Sequence, residues 1–317
     1  MVFKNNVFMA PLAGVTNKAF REFIRQFEPG FMFTEMISLS ALTHDFSRIE
    51  DYIDLPAERE DTGIQVIGNE PEHFENIASE LNRLGVQWLD INLGCSVPRV
   101  KKQKCGSFLL RNHEICRKIF RAVRSAFEGI CSVKIRAGWD RASLNYHQIT
   151  GIAFEEGLDV VFFHPRTASD GFNSPAEWGW VKELKKDFPG RCIFGNGDLI
   201  TVGDIATKWT DSNANGVLLA RGAMKAPWIF QQVHRYYSSQ DRWEPSLQQK
   251  IDYLMQHLDC LIKTMGEARG VIEMRKFMGW YLAGSHGIRE LRTHLPFIKT
   301  RKDVVRFVQI VYNMILI

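Results

Sequence analysis

The side chains most able to do chemistry recur at one kind of place, the polar end of a short apolar run. Asn92 stands three residues before Cys95, Lys134 two before Arg136, and His164 two before Arg166. Asn196-Gly197-Asp198 and Arg221-Gly222 close two later runs, and Pro11, Ala13, Glu35 and Gln65 lie at the ends of the earlier ones. Carboxamides and charges on buried strand ends are costly unless paired, so the set calls for a bound ligand or an internal network. Lys134, an ammonium inside an apolar strand, suits Schiff-base attack on a carbonyl or a fixed positive charge beside an electron-rich ring. The glycines of FGNGD (194–198) and LLARGAM (218–224) let backbone N–H groups approach a ligand. With Arg221 beside them they fit a phosphate-bearing cofactor.

These residues sit on eight runs rich in β-branched or aromatic residues: VFMAPL at 7, FMFTEMIS at 31, GIQVIG at 63, WLDINLG at 88, CSVKIRAG at 131, VVFFHPR at 160, CIFGNGD at 192 and GVLLARG at 216. Each reads as a buried strand. Between them, stretches such as 71–85, 113–127 and 144–157 repeat apolar residues every three or four positions, the helical period. Eight alternations favour an α/β fold of the closed (β/α)8 TIM barrel type over an open doubly wound sheet, and APLAGVTN after the first run lacks GxGxxG spacing. Such a barrel places its active site at the C-terminal ends of the strands, where the polar set lies. Beyond about residue 240 only helical patterns remain, so residues 1–240 are expected to form the barrel and 241–317 an all-helical domain.

The 317 residues are 45% hydrophobic and 24% charged, which excludes a disordered or collagen-like chain. No run approaches the roughly 18 apolar residues of a membrane helix, and Asn5 and Asn6 interrupt the start where a signal peptide needs its apolar core. A cytoplasmic protein without membrane attachment is expected. Six cysteines, without CxxC pairs or a Cys/His cluster, signal neither disulfides nor a metal site and are expected as reduced thiols.

Taken together, MAPLAGVTNKAFR (9–21), TEMIS (34–38), IQVIGNEPEHF (64–74), LDINLGCSVPRVKK (89–102), SVKIRAGWD (132–140), FHPRTASDGF (163–172), FGNGD (194–198), GVLLARGAMKAPWIF (216–230) and RKFMGWYLAGSHGIRELR (275–292) resemble the flavin-dependent tRNA-dihydrouridine synthase family over nearly the whole chain. The resemblance implies FMN across the barrel mouth. Pro11 and Ala13 would touch the isoalloxazine edge, Gln65 and Lys134 its polar rim, and His164 its flank. Asn196, Gly197, Asp198, Arg221 and Gly222 would hold ribityl and phosphate. It further implies reduction of the flavin by NADPH, hydride transfer from flavin N5 to C6 of a uridine facing Asn92, and proton delivery to C5 by Cys95. A neutral thiol suits that last task, because its reference pKa of about 8.5 leaves it mostly protonated. The chain departs from the family pattern at Ser96, where proline is usual, and at Pro165, where glycine is usual. Cys105 is a second thiol in the same loop.

Across 261–302 stand nine Lys or Arg against three acids, an excess larger than the +4 of the whole chain. Arg275, Arg289 and Arg292 alternate there with Phe277, Trp280, Tyr281 and His286, a mixture able to meet phosphates and stack on bases. Lys101 and Lys102 form a second basic stretch beside Cys95. With Arg136 and Arg166 at the strand ends, these residues are expected to contact a tRNA substrate, bound by a monomer. Three other readings compete: a flavin barrel acting on a small pyrimidine or enone, a Schiff-base aldolase using Lys134, and a diverged non-catalytic RNA-binding paralogue.

Overall fold

Each apolar run forms a strand because both of its faces are buried, one by helices and one by the opposite wall. A computed structural model of the chain describes residues 5–55, 57, 58, 60–172, 174–284 and 288–314, without the side chains of Arg289 and Glu290. The strands are β1 (Val7–Met9), β2 (Met32–Ser38), β3 (Thr62–Ile67), β4 (Trp88–Leu93), β5 (Ile130–Arg136), β6 (Val160–His164), β7 (Cys192–Asn196) and β8 (Gly216–Leu219). They pair in parallel in the order β1-β8-β7-β6-β5-β4-β3-β2. Met9 N–H donates to Phe31 O and Gly30 N–H to Val7 O, both at 2.8 Å, which carries the sheet round from β2 to β1. Helices cross between successive strands, as parallel pairing requires. The result is a (β/α)8 barrel followed by further helices.

Two compact units divide the chain: Met1–Thr16 with Pro29–Ala220, and Asn17–Glu28 with Arg221–Ile317. In the first, alternation along β4 settles what faces inward. Leu89, Ile91 and Leu93 join the layer packed under the helices, while Trp88 enters the inner cluster of Phe8, Phe31, Phe33, Phe162, Phe194 and Leu218. That cluster fills the barrel with rings, Phe8 lying 4.5 Å from Phe194 and Phe31 4.7 Å from Trp88 by centroids. Asp90 and Asn92 share the inward face of Trp88, two and four residues further on.

The second unit is helical, with Lys18–Ile24, Ile229–Ser239, Leu247–Met265, Glu267–Tyr281 and Arg301–Asn313 as its main segments. Capping boxes start two of them, Ser246 with Gln249 and Thr300 with Asp303. Around a fully buried His257 gather Phe20, Phe23, Phe277 and Tyr281, whose hydroxyl meets His257 Nδ1 at 3.0 Å. Burial pushes His257 down to about 3 and so keeps it neutral. Among the described residues no helix is long and apolar enough to cross a membrane.

Truncating the fully buried Phe8 to alanine would leave a cavity among the rings of Phe31, Trp88, Phe162 and Phe194. Phe8→Ala is expected to cost about 3–5 kcal/mol, measured as a lower denaturant midpoint of the barrel's unfolding transition.

Candidate active site

Strand register builds the site row by row. Gln65 on β3 lies level with Asp90 on β4, and Asp90 level with Ser132 on β5. Asp90, fully buried, accepts from Gln65 Nε2 at 2.6 Å and from Ser132 Oγ at 2.6 Å, while Trp88 Nε1–H donates to Ser132 Oγ at 2.8 Å. One step up the barrel, Asn92 Nδ2 donates to Gln65 Oε1 at 2.7 Å. Asn92 Oδ1 then accepts the backbone N–H groups of Gly94 at 3.1 Å and Cys95 at 2.9 Å. An unbroken chain of hydrogen bonds therefore runs from the barrel interior to the amide of Cys95. Burial pushes Asp90 up to about 6 against the opposing effect of its two donors and Lys134, so it is ionised at neutral pH.

The loop carrying Cys95 is tied down from its other side as well. Ser107 N–H donates to Cys95 O at 2.9 Å. Gly106 adopts φ +60° there, and a Cβ on it would fall 2.6 Å from that carbonyl oxygen, so both the turn and the close approach call for glycine. Cys95 itself is half-buried at the C-terminal end of β4. Cys105 differs: its Sγ–H points to Gln103 O at 3.3 Å, and burial together with nearby Glu70 pushes its thiol pKa up. All six cysteines are free thiols. Of the basic loop residues, Lys101 lies 5.4 Å over the Trp139 ring and Lys102 is exposed.

Cations surround this thiol but differ in how they are held. Arg136 donates to Gly94 O at 2.9 Å and Thr167 O at 2.7 Å, and burial plus the neighbouring Arg166 push it down to about 10. The buried Arg166 donates from Nη2 to both carboxylate oxygens of Asp198 at 2.8 and 2.6 Å, from Nε to Ser174 O at 2.8 Å, and meets His164 Nε2 at 3.2 Å. Asp198 also takes Ala176 N–H at 2.9 Å. Asn196 spends its amide on Leu218 O at 2.5 Å, and Gly197, at φ +116°, lies close enough to His164 that a Cβ would sit 2.9 Å from the ring. Lys134 has no hydrogen-bond or ion-pair partner among the described residues. Burial and Arg136 push it down to about 8, with Asp90 and Cys95 pulling the other way. Its Nζ reaches to 3.8 Å of where a Gly94 Cβ would stand.

Across the mouth, Gly14 N–H donates to Glu35 Oε1 at 2.5 Å, which holds the loop of the half-buried Pro11 and the exposed Ala13. The first unit thus brings together Pro11, Ala13, Gln65, Asn92, Cys95, Lys134, Arg136, His164, Arg166 and Asn196 to Asp198 at one end of the barrel. Among the described residues no group of three His, Cys, Asp or Glu is placed to hold a metal ion. The family model for dihydrouridine synthases matches residues 8–315.

The chain belongs to the dihydrouridine synthase family. It is 28% identical to a probable tRNA-dihydrouridine synthase of Rickettsia bellii over 98% of this chain and 96% of that protein. It is 30% identical to tRNA-dihydrouridine synthase B of Pseudomonas putida, covering 91% and 86% of the two chains, and to that of Vibrio parahaemolyticus, covering 91% and 90%. Two of the chain's departures from the usual motifs, at Ser96 and Pro165, lie in the loops just described. Ser96 is half-buried after the held thiol, and Arg166 N–H bonds His164 O at 2.8 Å across Pro165.

Arg221 and Gly222 open the short helix Arg221–Lys225 of the second unit. There Arg275 donates to Ile298 O at 2.9 Å and the exposed Arg292 to Gly279 O at 2.7 Å, while Arg269, Lys299 and Lys302 are exposed. The Arg289 side chain and His286 lie outside the described residues. Sequence reasoning passed over Asp90. The signal was present in WLDINL, whose period of two puts an acid on the inward face between Trp88 and Asn92.

Asp90 also marks the pH dependence of stability. In the unfolded chain it titrates at its ordinary 3.8 and in the fold at about 6. Between those values the folded state holds the extra proton, so stability falls as pH rises from about 4 to about 6, by on the order of 2–3 kcal/mol. Asp90→Asn is expected to remove that decline, as measured by denaturant titrations at successive pH values.

Proposed function

We propose that the protein reduces uridine in tRNA to 5,6-dihydrouridine at the C-terminal end of its barrel, with Cys95 giving the proton to C5. Bound there, FMN reduced by NADPH would supply the hydride that C6 receives. The donor set fits such a group: Lys134 offers an ammonium with no hydrogen-bond or ion-pair partner among the described residues, suited to the electron-rich rim of the isoalloxazine, while His164 and the Pro11–Ala13 loop stand on the same rim of the barrel. Arg136 and Arg166 add positive charge and, through their hydrogen bonds to Gly94 O, Thr167 O and Asp198, orient the loops that carry Cys95 and Asp198.

The observation that carries the reading is the Asn92–Cys95 turn, which fixes the backbone of a half-exposed cysteine near the Lys134 ammonium, unpaired among the described residues. Carbanion character at C5 needs an acid on the face opposite the hydride donor, and Cys95 can serve in its neutral form. Cys105 suits the task less well, since its proton already rests on Gln103 O. The named relatives act on tRNA, and exposed cations in each unit, Lys102 in the first and Arg269, Lys299 and Lys302 in the second, offer contacts for an RNA backbone.

Purified protein is expected to bind FMN and, given NADPH, to convert uridine in tRNA transcripts but not free uridine. Cys95→Ala should keep the flavin and lower kcat about 100- to 10,000-fold, the usual worth of a positioned acid, whereas Cys105→Ala should retain turnover. A Cys95→Ala enzyme as fast as the parent, or a protein that takes up no FMN, would contradict the reading.

A further inference from the structure

We propose that Asp90 is a positioning residue for the reaction: its buried carboxylate fixes which way the Gln65 and Asn92 carboxamides point and, through them, holds the backbone of Cys95. The inference rests on the reading of Cys95 as proton donor.

The two ends of the hydrogen-bond chain leave no freedom between them. A backbone N–H can only donate, so the Asn92 atom facing Gly94 and Cys95 must be its oxygen, at 3.1 and 2.9 Å. Asn92 must then present its NH2 to Gln65 Oε1 at 2.7 Å, and Gln65 its own NH2 to Asp90 at 2.6 Å. An ionised carboxylate can only accept, and Asp90 accepts a second donor, Ser132 Oγ, at 2.6 Å. Ser132 in turn takes the Trp88 indole N–H at 2.8 Å, so its hydroxyl proton must go to Asp90.

The substitution Asp90→Asn would break this logic without changing shape. The new amide satisfies Ser132 with its oxygen, which turns its NH2 toward Gln65. Gln65 then rotates to accept, its NH2 faces Asn92, and Asn92 presents its own NH2 to two backbone N–H groups that need an acceptor. The opposite rotation keeps the turn but leaves the Ser132 proton without an acceptor inside the barrel, a cost the native carboxylate avoids. Gln65 and Asp90 are each at most 1% exposed, so water does not compete for these groups.

A second substitution compensates for the first. In D90N/N92D the carboxylate has moved to the other end of the chain: Gln65 accepts from the amide that replaces Asp90 and donates to the carboxylate that replaces Asn92, whose second oxygen receives the Gly94 and Cys95 amides. N92D alone places carboxylates on both sides of Gln65, which has only one NH2. All four proteins have the same side-chain shapes.

The test is a double-mutant cycle read by hydrogen exchange of the Gly94 and Cys95 amides, with iodoacetamide labelling of Cys95 and steady-state kinetics alongside. D90N and N92D are each expected to speed exchange of those two amides by about tenfold or more, the factor for one hydrogen bond of ordinary net worth, while D90N/N92D returns them to near the parent rate. In D90N kcat should fall with KM for tRNA unchanged. Should D90N alone fail to fold, slower exchange in D90N/N92D than in N92D decides the question. Additive effects in the cycle, or amides equally protected in all four, would overturn the inference. Loosened amides in D90N with an unchanged kcat would instead count against Cys95 as the proton donor, which separates the two failures.

Discussion

A carboxylate that can only accept, midway along β4, and a backbone turn that can only donate, at the end of the same strand, must be bridged by two carboxamides, Gln65 on β3 and Asn92 on β4. The rest of the barrel's polar end follows from that constraint. Gln65, Asp90 and Ser132 share one row of the register, so the polarity set by Asp90 passes sideways from strand to strand. From Gln65 it rises to Asn92 and reaches the loop after β4. Below the row lie Trp88 and a packed set of buried phenylalanine rings. A buried ionised group costs stability, and the fall expected between pH 4 and 6 is the measure of that cost. What it secures is a thiol with a fixed backbone at an otherwise open rim.

Around that thiol the charges are divided by role. Arg136 and Arg166 are tied to carbonyls and to Asp198, so they hold loops and set a positive field at the barrel mouth. Lys134 is the exception, level with Asn92 and without a partner among the described residues. Its proximity to Asp90 and Cys95 works against burial to keep it charged. An array of this kind favours an electron-rich ring or an anion over the barrel mouth, in line with membership of the dihydrouridine synthase family.

Most of the architecture was legible in the sequence because it rests on local pattern. All eight strands fall on the apolar runs, and helices such as Pro71–Arg83 and His113–Ala126 fall on the stretches with helical period. The polar strand ends were legible as a set needing either a ligand or an internal network, and the structure shows how much of that need is met internally. Gln65, Asn92, Arg136, Arg166 and Asp198 all find protein partners. Those pairings were not legible, since they depend on register between strands far apart in the chain. Asp90 was hidden for a different reason: attention to strand ends misses a charge in mid-strand. Likewise no local signal says that Phe20 and Phe23 pack against His257, Phe277 and Tyr281, more than 230 positions away, and so join Asn17–Glu28 to the helical unit.

The central claim, that this held sulfur is the acid for a pyrimidine at the barrel mouth, is tested most directly by a crystal structure of the protein with FMN and a uridine-containing tRNA. The account requires Cys95 Sγ to lie about 3–3.5 Å from C5 of the uracil, the separation of groups poised to react, on the face away from the isoalloxazine. A uracil with Cys95 on the flavin side, or with Cys105 as its nearest thiol, would contradict it.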